Sequence, residues 1–160
     1  MILTARKHYA LAVLQLPQAP YFLSRRKEHY IDLCDTVQTR QRVSHLALLD
    51  DFDSDSIAYD SKGLAWSFHF EQPPARSALL GRLLAHTIYN PVREVAISWS
   101  QLRDYSLEEL RDAYLDAVAH DKGILTQFVE PNELQQRIQQ IRTFEDLVEI
   151  WQWMSTDHDT

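Results

Sequence analysis

The chain has 160 residues, 45% of them hydrophobic and 24% charged, with 16 Lys and Arg against 23 Asp and Glu and a formal net charge of −7. That is the length of one ordinary domain, with enough apolar side chains for a continuous core, so a disordered or low-complexity chain is excluded. One cysteine, Cys34, rules out an internal disulfide framework; no apolar run approaches the ~20 residues of a membrane-spanning helix, and the acidic balance argues against non-specific nucleic-acid binding, which depends on many Lys and Arg contacts to phosphate.

The N-terminus has its basic residues inside an amphipathic pattern and lacks the uninterrupted apolar core of a signal peptide. With the single cysteine, this gives the expectation of a cytoplasmic protein. One globular domain is expected over 1–155, followed by a frayed polar tail at 156–160.

Residues 4–16 read as a helix, because Ala5, Tyr9, Ala12, Val13 and Leu16 form one stripe that Pro17 ends. The stretch from Gln18 to Leu23 reads as a connector. Ser24 can cap a second helix with Tyr30, Cys34 and Val37 on one face. On that helix Arg25, Arg26 and Lys27 make a solvated face, and Cys34 is a small buried apolar group rather than a nucleophile. The stretch from Arg42 to Asp51 fits a helix or a strand; the cap Thr39 favours a helix.

A short strand starts at Ile57, and Asp60-Ser61-Lys62-Gly63 is a turn in which Gly63 can take positive φ. It leads into Leu64 to Phe70, where Leu64, Trp66, Phe68 and Phe70 alternate with Ala65, Ser67 and His69 as in a half-buried strand. Pro73 and Pro74 stop that strand and open a helix carrying Leu79, Leu80, Leu83, Leu84 and Ile88, which Asn90-Pro91 ends. A second alternating run, Val95, Ile97 and Trp99, follows. A helix of ~15 residues spans about 22 Å, close to a seven-residue strand, which suits a strand–helix–strand crossover and a parallel pair.

The remainder reads as helical. Ser106-Leu107-Glu108-Glu109 opens a helix as a capping box, with Gly123 at its left-handed end. Pro131 starts another, carrying Leu134 and Ile138, and Thr143 caps a last one, in which Phe144, Leu147, Val148, Ile150, Trp151 and Met154 share an arc while Trp153 falls opposite. The expected fold is therefore α+β: a small three-stranded mixed sheet within 57–99 that contains the crossover, flanked by N-terminal and C-terminal helices.

Two groups of residues could carry chemistry. The acidic loop places Asp50, Asp51, Asp53, Asp55 and Asp60 close together, and alternate aspartates can offer oxygens to a hard cation. Counted from Asp51 as first ligand, however, Ser56 stands where a calcium loop needs glycine, and Lys62 where it needs a bidentate glutamate. At the end of the long strand, His69 and Glu71 could serve as base or metal ligand. Were residues 43–49 a strand, the order helix, three-strand meander, helix, strand would resemble the core of restriction-endonuclease-like nucleases. That resemblance implies an acidic-x-Lys pair on the third strand, where here Glu71 is followed by Gln72 and Pro73.

With no glycine-rich phosphate loop, zinc spacing or nucleophile elbow in the chain, the leading expectation is a non-catalytic interaction module: an assembly, adaptor or regulatory factor that binds another protein. A related form is an immunity or inhibitor protein that presents the acidic loop to a basic partner. Trp153, with Ile150 beside it, is the expected docking anchor, and a homodimer is the competing outcome. The alternative is a metal-dependent hydrolase or nuclease-like enzyme using Asp51, Asp53, Asp55, His69 and Glu71. No cofactor is expected, nor a nucleic-acid partner.

Overall fold

The structure, a computed structural model, describes residues 15–37, 40–44, 53–71 and 92–156. The long alternating run forms as expected: β5 covers Leu64–Phe70 and pairs antiparallel with β4, Ser56–Asp60. Gly63, at φ +80, makes the turn between them, and its N–H donates to the carbonyl of Asp60. A left-handed residue at this point favours glycine because a Cβ would clash with the following carbonyl.

The sheet is larger than expected and wholly antiparallel. β1, Tyr21–Arg25, and β2, Tyr30–Cys34, form a hairpin, and β1 also pairs with β4. β6, Val92–Asp104, pairs with β5 through its C-terminal half, from Phe70↔Ile97 to Leu64↔Asp104. β3, Arg40–Ser44, pairs with the N-terminal half of β6. Five strands thus run β2-β1-β4-β5-β6, and β3 extends the order beyond β6.

These findings correct five expectations. The sheet is not three-stranded, and β6 runs antiparallel to β5. An antiparallel strand starts where its partner ends, so the intervening segment has no strand length to cover, and the length match that suggested a crossover loses its force. Residues 24–37 hold β2 instead of a helix: Tyr30, Cys34 and Val37 satisfy a helical stripe, but Tyr-Phe-Leu and Tyr-Ile-Asp-Leu are aromatic and branched runs that a half-buried sheet accepts equally well. Arg40–Ser44 is a strand where a helix was favoured. Finally, Leu16 lies in non-helical chain. The rest of the first expected helix, 4–14, and the whole of the one after Pro74 lie outside the described residues.

The C-terminal helices match the sequence. α1 is Leu107–Ala119, α2 Pro131–Gln139 and α3 Phe144–Met154. The side chain of Ser106 accepts the Glu109 N–H, but the Glu109 carboxylate turns away to Arg103, so the full capping box is found instead at Thr143 and Asp146. Gly123 is left-handed, φ +88, but it lies in the loop beyond α1 rather than at its end.

Both faces of the sheet are buried. Phe22, Ile31, Tyr59 and Ala65 pack against Leu110, Tyr114, Leu134, Ile138, Phe144 and Leu147 of the three helices. Each fully buried side chain of this size contributes about 1.5–3 kcal/mol relative to exposure. On the opposite face Trp66, Phe68, Phe70, Val95 and Ile97 are buried with Tyr21 and Ala58. Along β5 the alternation thus separates two buried faces at Ala65 and Trp66, and core from solvent only towards its end, where Ser67 is half-buried and His69 exposed.

Candidate functional site

Two of the expected metal ligands, Asp53 and Asp55, bond to other parts of the fold. The Asp53 carboxylate accepts the Phe70 N–H at 2.9 Å and lies 3.7 Å from Nδ1 of His69, whose side chain is exposed. Asp55 accepts from Nε of Arg25 at 2.7 Å, and Lys27 approaches its other oxygen to 3.7 Å. Arg25 also pairs with Glu28 at 2.9 Å and is buried, so part of the expected solvated basic face is an interior ion pair. Glu71 is exposed, and its N–H continues the β5–β6 ladder to Ala96. Asp50 and Asp51 lie outside the described residues; of the stretch 43–49 on which the nuclease-like order depends, Val43 and Ser44 are in β3, which pairs with β6 and not with β4, so it makes no meander with β4 and β5.

The expected docking anchors lie side by side. Ile150 and Trp153 are half-buried and line a shallow depression of about 420 Å³ with Ile141, Arg137, Arg142, Asp146 and Glu149. The Arg137 guanidinium sits 4.1 Å from the centre of the Trp153 ring. Trp153 is therefore partly covered from within the chain.

Two further concave surfaces flank β2. Among the described residues no strand pairs with its outer side, so it is an edge strand. Ile31 and Leu33 face the helices, while Cys34 packs with the opposite cluster. On the helix face a groove of about 620 Å³ is lined by Ile31, Leu125, Phe128, Trp151 and Met154, with Glu28, Asp32 and Asp121 among its polar residues. On the other face a cavity of about 330 Å³ is lined by Tyr21, Leu23, Phe68, Ile97 and Trp99, with Asp32 and Asp35 at its side. Burial raises the Asp32 carboxyl above its ordinary value against the Tyr30 hydrogen bond. Burial, with Asp32 adding to it, pushes the Cys34 thiol up to about 11, which leaves it an inert group.

One wall of the groove is a loop held by a single side chain. The Asp121 carboxylate accepts from the backbone N–H groups of Gly123, Ile124, Leu125 and Thr126 and from the Thr126 hydroxyl, at 2.8–3.1 Å. Burial acts to raise its pKa, but these donors outweigh it and hold the carboxyl below its ordinary value. The loop carries Ile124 and Phe128, which are 81% and 43% exposed. Both residues line the groove.

At the mouth of the groove three residues converge from distant parts of the chain. His29 ends the 3-10 turn Arg26–Glu28 in a left-handed conformation, φ 52, and its Nδ1 lies 2.8 Å from Oδ2 of Asp116 on α1. His120, one turn after Asp116, has Nδ1 at 3.4 Å from the other carboxylate oxygen and 2.9 Å from the Asp116 carbonyl. The two imidazoles stack with centroids 3.7 Å apart and planes within 12°.

Asp116 and His120 stand four residues apart on a helix, a spacing that sequence could have flagged as one face. His29 could not be found that way, because its approach depends on β2 lying against α1, and the chain there reads as a helix. No protein-family model, no curated protein and no solved structure matches this chain.

Proposed function

We propose that this protein is an interaction module that binds an extended peptide segment of another protein along the edge of β2. The observation that carries this reading is the pair of hollows on the two faces of one edge strand, an apolar one at Ile31–Leu125–Phe128–Trp151 and one of mixed lining at Tyr21–Leu23–Phe68–Trp99 with Asp32 and Asp35. An added strand takes its affinity from main-chain hydrogen bonds and its specificity from pockets for alternate side chains, because successive residues point to opposite faces. Glu28, Asp32 and Asp35 along the strand, with a net charge of −7, fit a peptide that interleaves basic with apolar residues. The structural bonds that Asp53 and Asp55 make to the Phe70 N–H and to Arg25 add support for binding over hydrolysis.

A panel of synthetic extended peptides with alternating apolar and basic residues tests the proposal, read by amide hydrogen exchange. Binding should slow exchange at residues 31–34 and weaken with Asp32→Asn or added salt. Protection confined to other surfaces, or no binding across the panel, would rule it out.

A second contact region is proposed at the depression around Trp153 and Ile150. Its apolar centre within a charged rim of Arg137, Arg142, Asp146 and Glu149 is the arrangement of an interface anchor. Its occupant would be a folded protein surface, with a second copy of the chain as the competing outcome.

A further inference from the structure

We propose that His29, Asp116 and His120 form a three-ligand site for a divalent cation of the Zn²⁺ class, independent of peptide binding. The chemistry of the donor set points there. Two imidazoles and one carboxylate are the donors that borderline transition metals prefer, whereas Ca²⁺ and Mg²⁺ prefer oxygen alone. One ligand atom from each residue lies within 4.8 Å of the other two. In a tetrahedral site with ligand bonds of ~2.0–2.1 Å the donors stand about 3.3 Å apart. His29 Nδ1 lies 2.8 Å from one Asp116 oxygen and His120 Nδ1 3.4 Å from the other, separations of that order. A cation would take the place of the proton shared between His29 and Asp116.

The metal-free stack is not itself a ligand geometry, because parallel rings aim their lone pairs side by side rather than at one point. One ring must turn. Both can, since their side chains are 41% and 51% exposed. Asp116 lies in the last turn of α1 and His120 caps it, its N–H donating to the Asp116 carbonyl, so the helix end supplies two ligands and the hairpin turn supplies the third. Three protein ligands leave a fourth position open, and this one would sit at the mouth of the groove that His29 and His120 help to line.

The test uses the full chain without a histidine tag, titrated calorimetrically with ZnCl₂ and followed by the imidazole proton resonances. One cation per chain should bind, and the rings of His29 and His120 should shift together. His29→Asn, which tolerates the left-handed backbone, and His120→Gln should each weaken binding by at least about tenfold while circular dichroism stays unchanged. His69→Ala should bind as the parent does. Affinity should fall steeply as the pH drops towards about 5, because the ligands must be deprotonated. Cobalt(II) in place of zinc should give the absorption of a tetrahedral site. Absence of binding, or binding that survives both histidine substitutions, would overturn the proposal; neither result bears on the β2 peptide surface, which needs no metal.

Discussion

The Asp60 carboxylate accepts the indole N–H of Trp66 at 2.8 Å, with Asp60 itself only 1% exposed. The same carboxylate accepts the backbone N–H groups of Lys62, Leu64 and Gln18, and the Asp60 carbonyl accepts the Tyr105 hydroxyl at 2.6 Å. One side chain thus closes the β4–β5 turn, orients the largest aromatic of β5 and ties down the chain entering β1. A buried carboxylate is tolerated here because donors surround it. Asp60→Ala leaves those donors unsatisfied in the interior and should cost at least about 3 kcal/mol. Trp66→Phe keeps most of the packing, removes one donor and should cost about 1–3 kcal/mol. Urea denaturation at constant m-value reads both; an Asp60→Ala chain as stable as the parent would defeat this account.

The turn at Asp60 and Gly63, the β5 alternation and the three C-terminal helices were all readable because their determinants are local: a Gly at positive φ, a period of two, and caps at Ser106 and Thr143. The β1–β2 hairpin was not. Tyr30, Cys34 and Val37 fit a helical stripe as well as a strand, and what decides between them is the pairing of Tyr21 with Cys34 and with Asp60, which local sequence does not contain. The candidate site inherits that gap, since both hollows and His29 depend on β2. The acidic loop shows a related limit. Spacing shows that Asp53 and Asp55 are near each other, but not that the Phe70 N–H and Arg25 already engage them.

The Arg103–Glu109–Tyr59 cluster sets a pH dependence at both ends of the scale. Arg103 forms a two-bond fork to Glu109, at 2.6 and 2.9 Å, and Tyr59 donates to the same carboxylate at 3.1 Å. The Arg103 hydrogen bonds hold the Glu109 carboxyl below its ordinary 4.5. Its stabilising contribution is therefore present above 4.5 and is lost as the pH falls through the folded value. Burial pushes the Tyr59 hydroxyl up to about 12 from 10.0. That contribution is complete below pH 10 and lost as the pH rises towards about 12. Arg103→Ala should flatten the acid limb of the melting temperature measured against pH, and Tyr59→Phe the alkaline limb. An unchanged acid limb in Arg103→Ala would refute the assignment.

Asp121 is expected to matter more for binding than for folding. Its five accepted hydrogen bonds fix residues 123–126, which contribute little to the core, so Asp121→Ala should leave the melting transition nearly in place. The loop would then sample many conformations, and a ligand would have to order it on binding. Affinity of a β2-edge peptide should fall about tenfold, equivalent to about 1.4 kcal/mol, while amide exchange at 123–126 accelerates in the free protein. Slow exchange retained in the variant would show that the loop is held by something other than Asp121.

Trp153 separates a structural from a docking role. Its ring is half-buried and lies under the Arg137 guanidinium, which is itself half exposed. A fully buried Trp costs about 3–5 kcal/mol when cut to Ala, so a half-buried one should cost roughly half of that. The Arg137 contact accounts for about 0.5–1 kcal/mol of it, as is usual for an exposed cation–π pair, and should appear as the coupling in a Trp153→Ala, Arg137→Ala double-mutant cycle. If the depression is also an interface, Ile150→Ser should leave the monomer within about 1 kcal/mol of parent stability, because that side chain is only half covered, yet weaken partner binding or self-association. Sedimentation equilibrium over a range of protein concentrations reads the second effect directly. A parent chain that stays monomeric at high concentration, and whose partner binding is unmoved by Ile150→Ser, would leave Trp153 as packing for α2 on α3 and exclude the depression as a contact region.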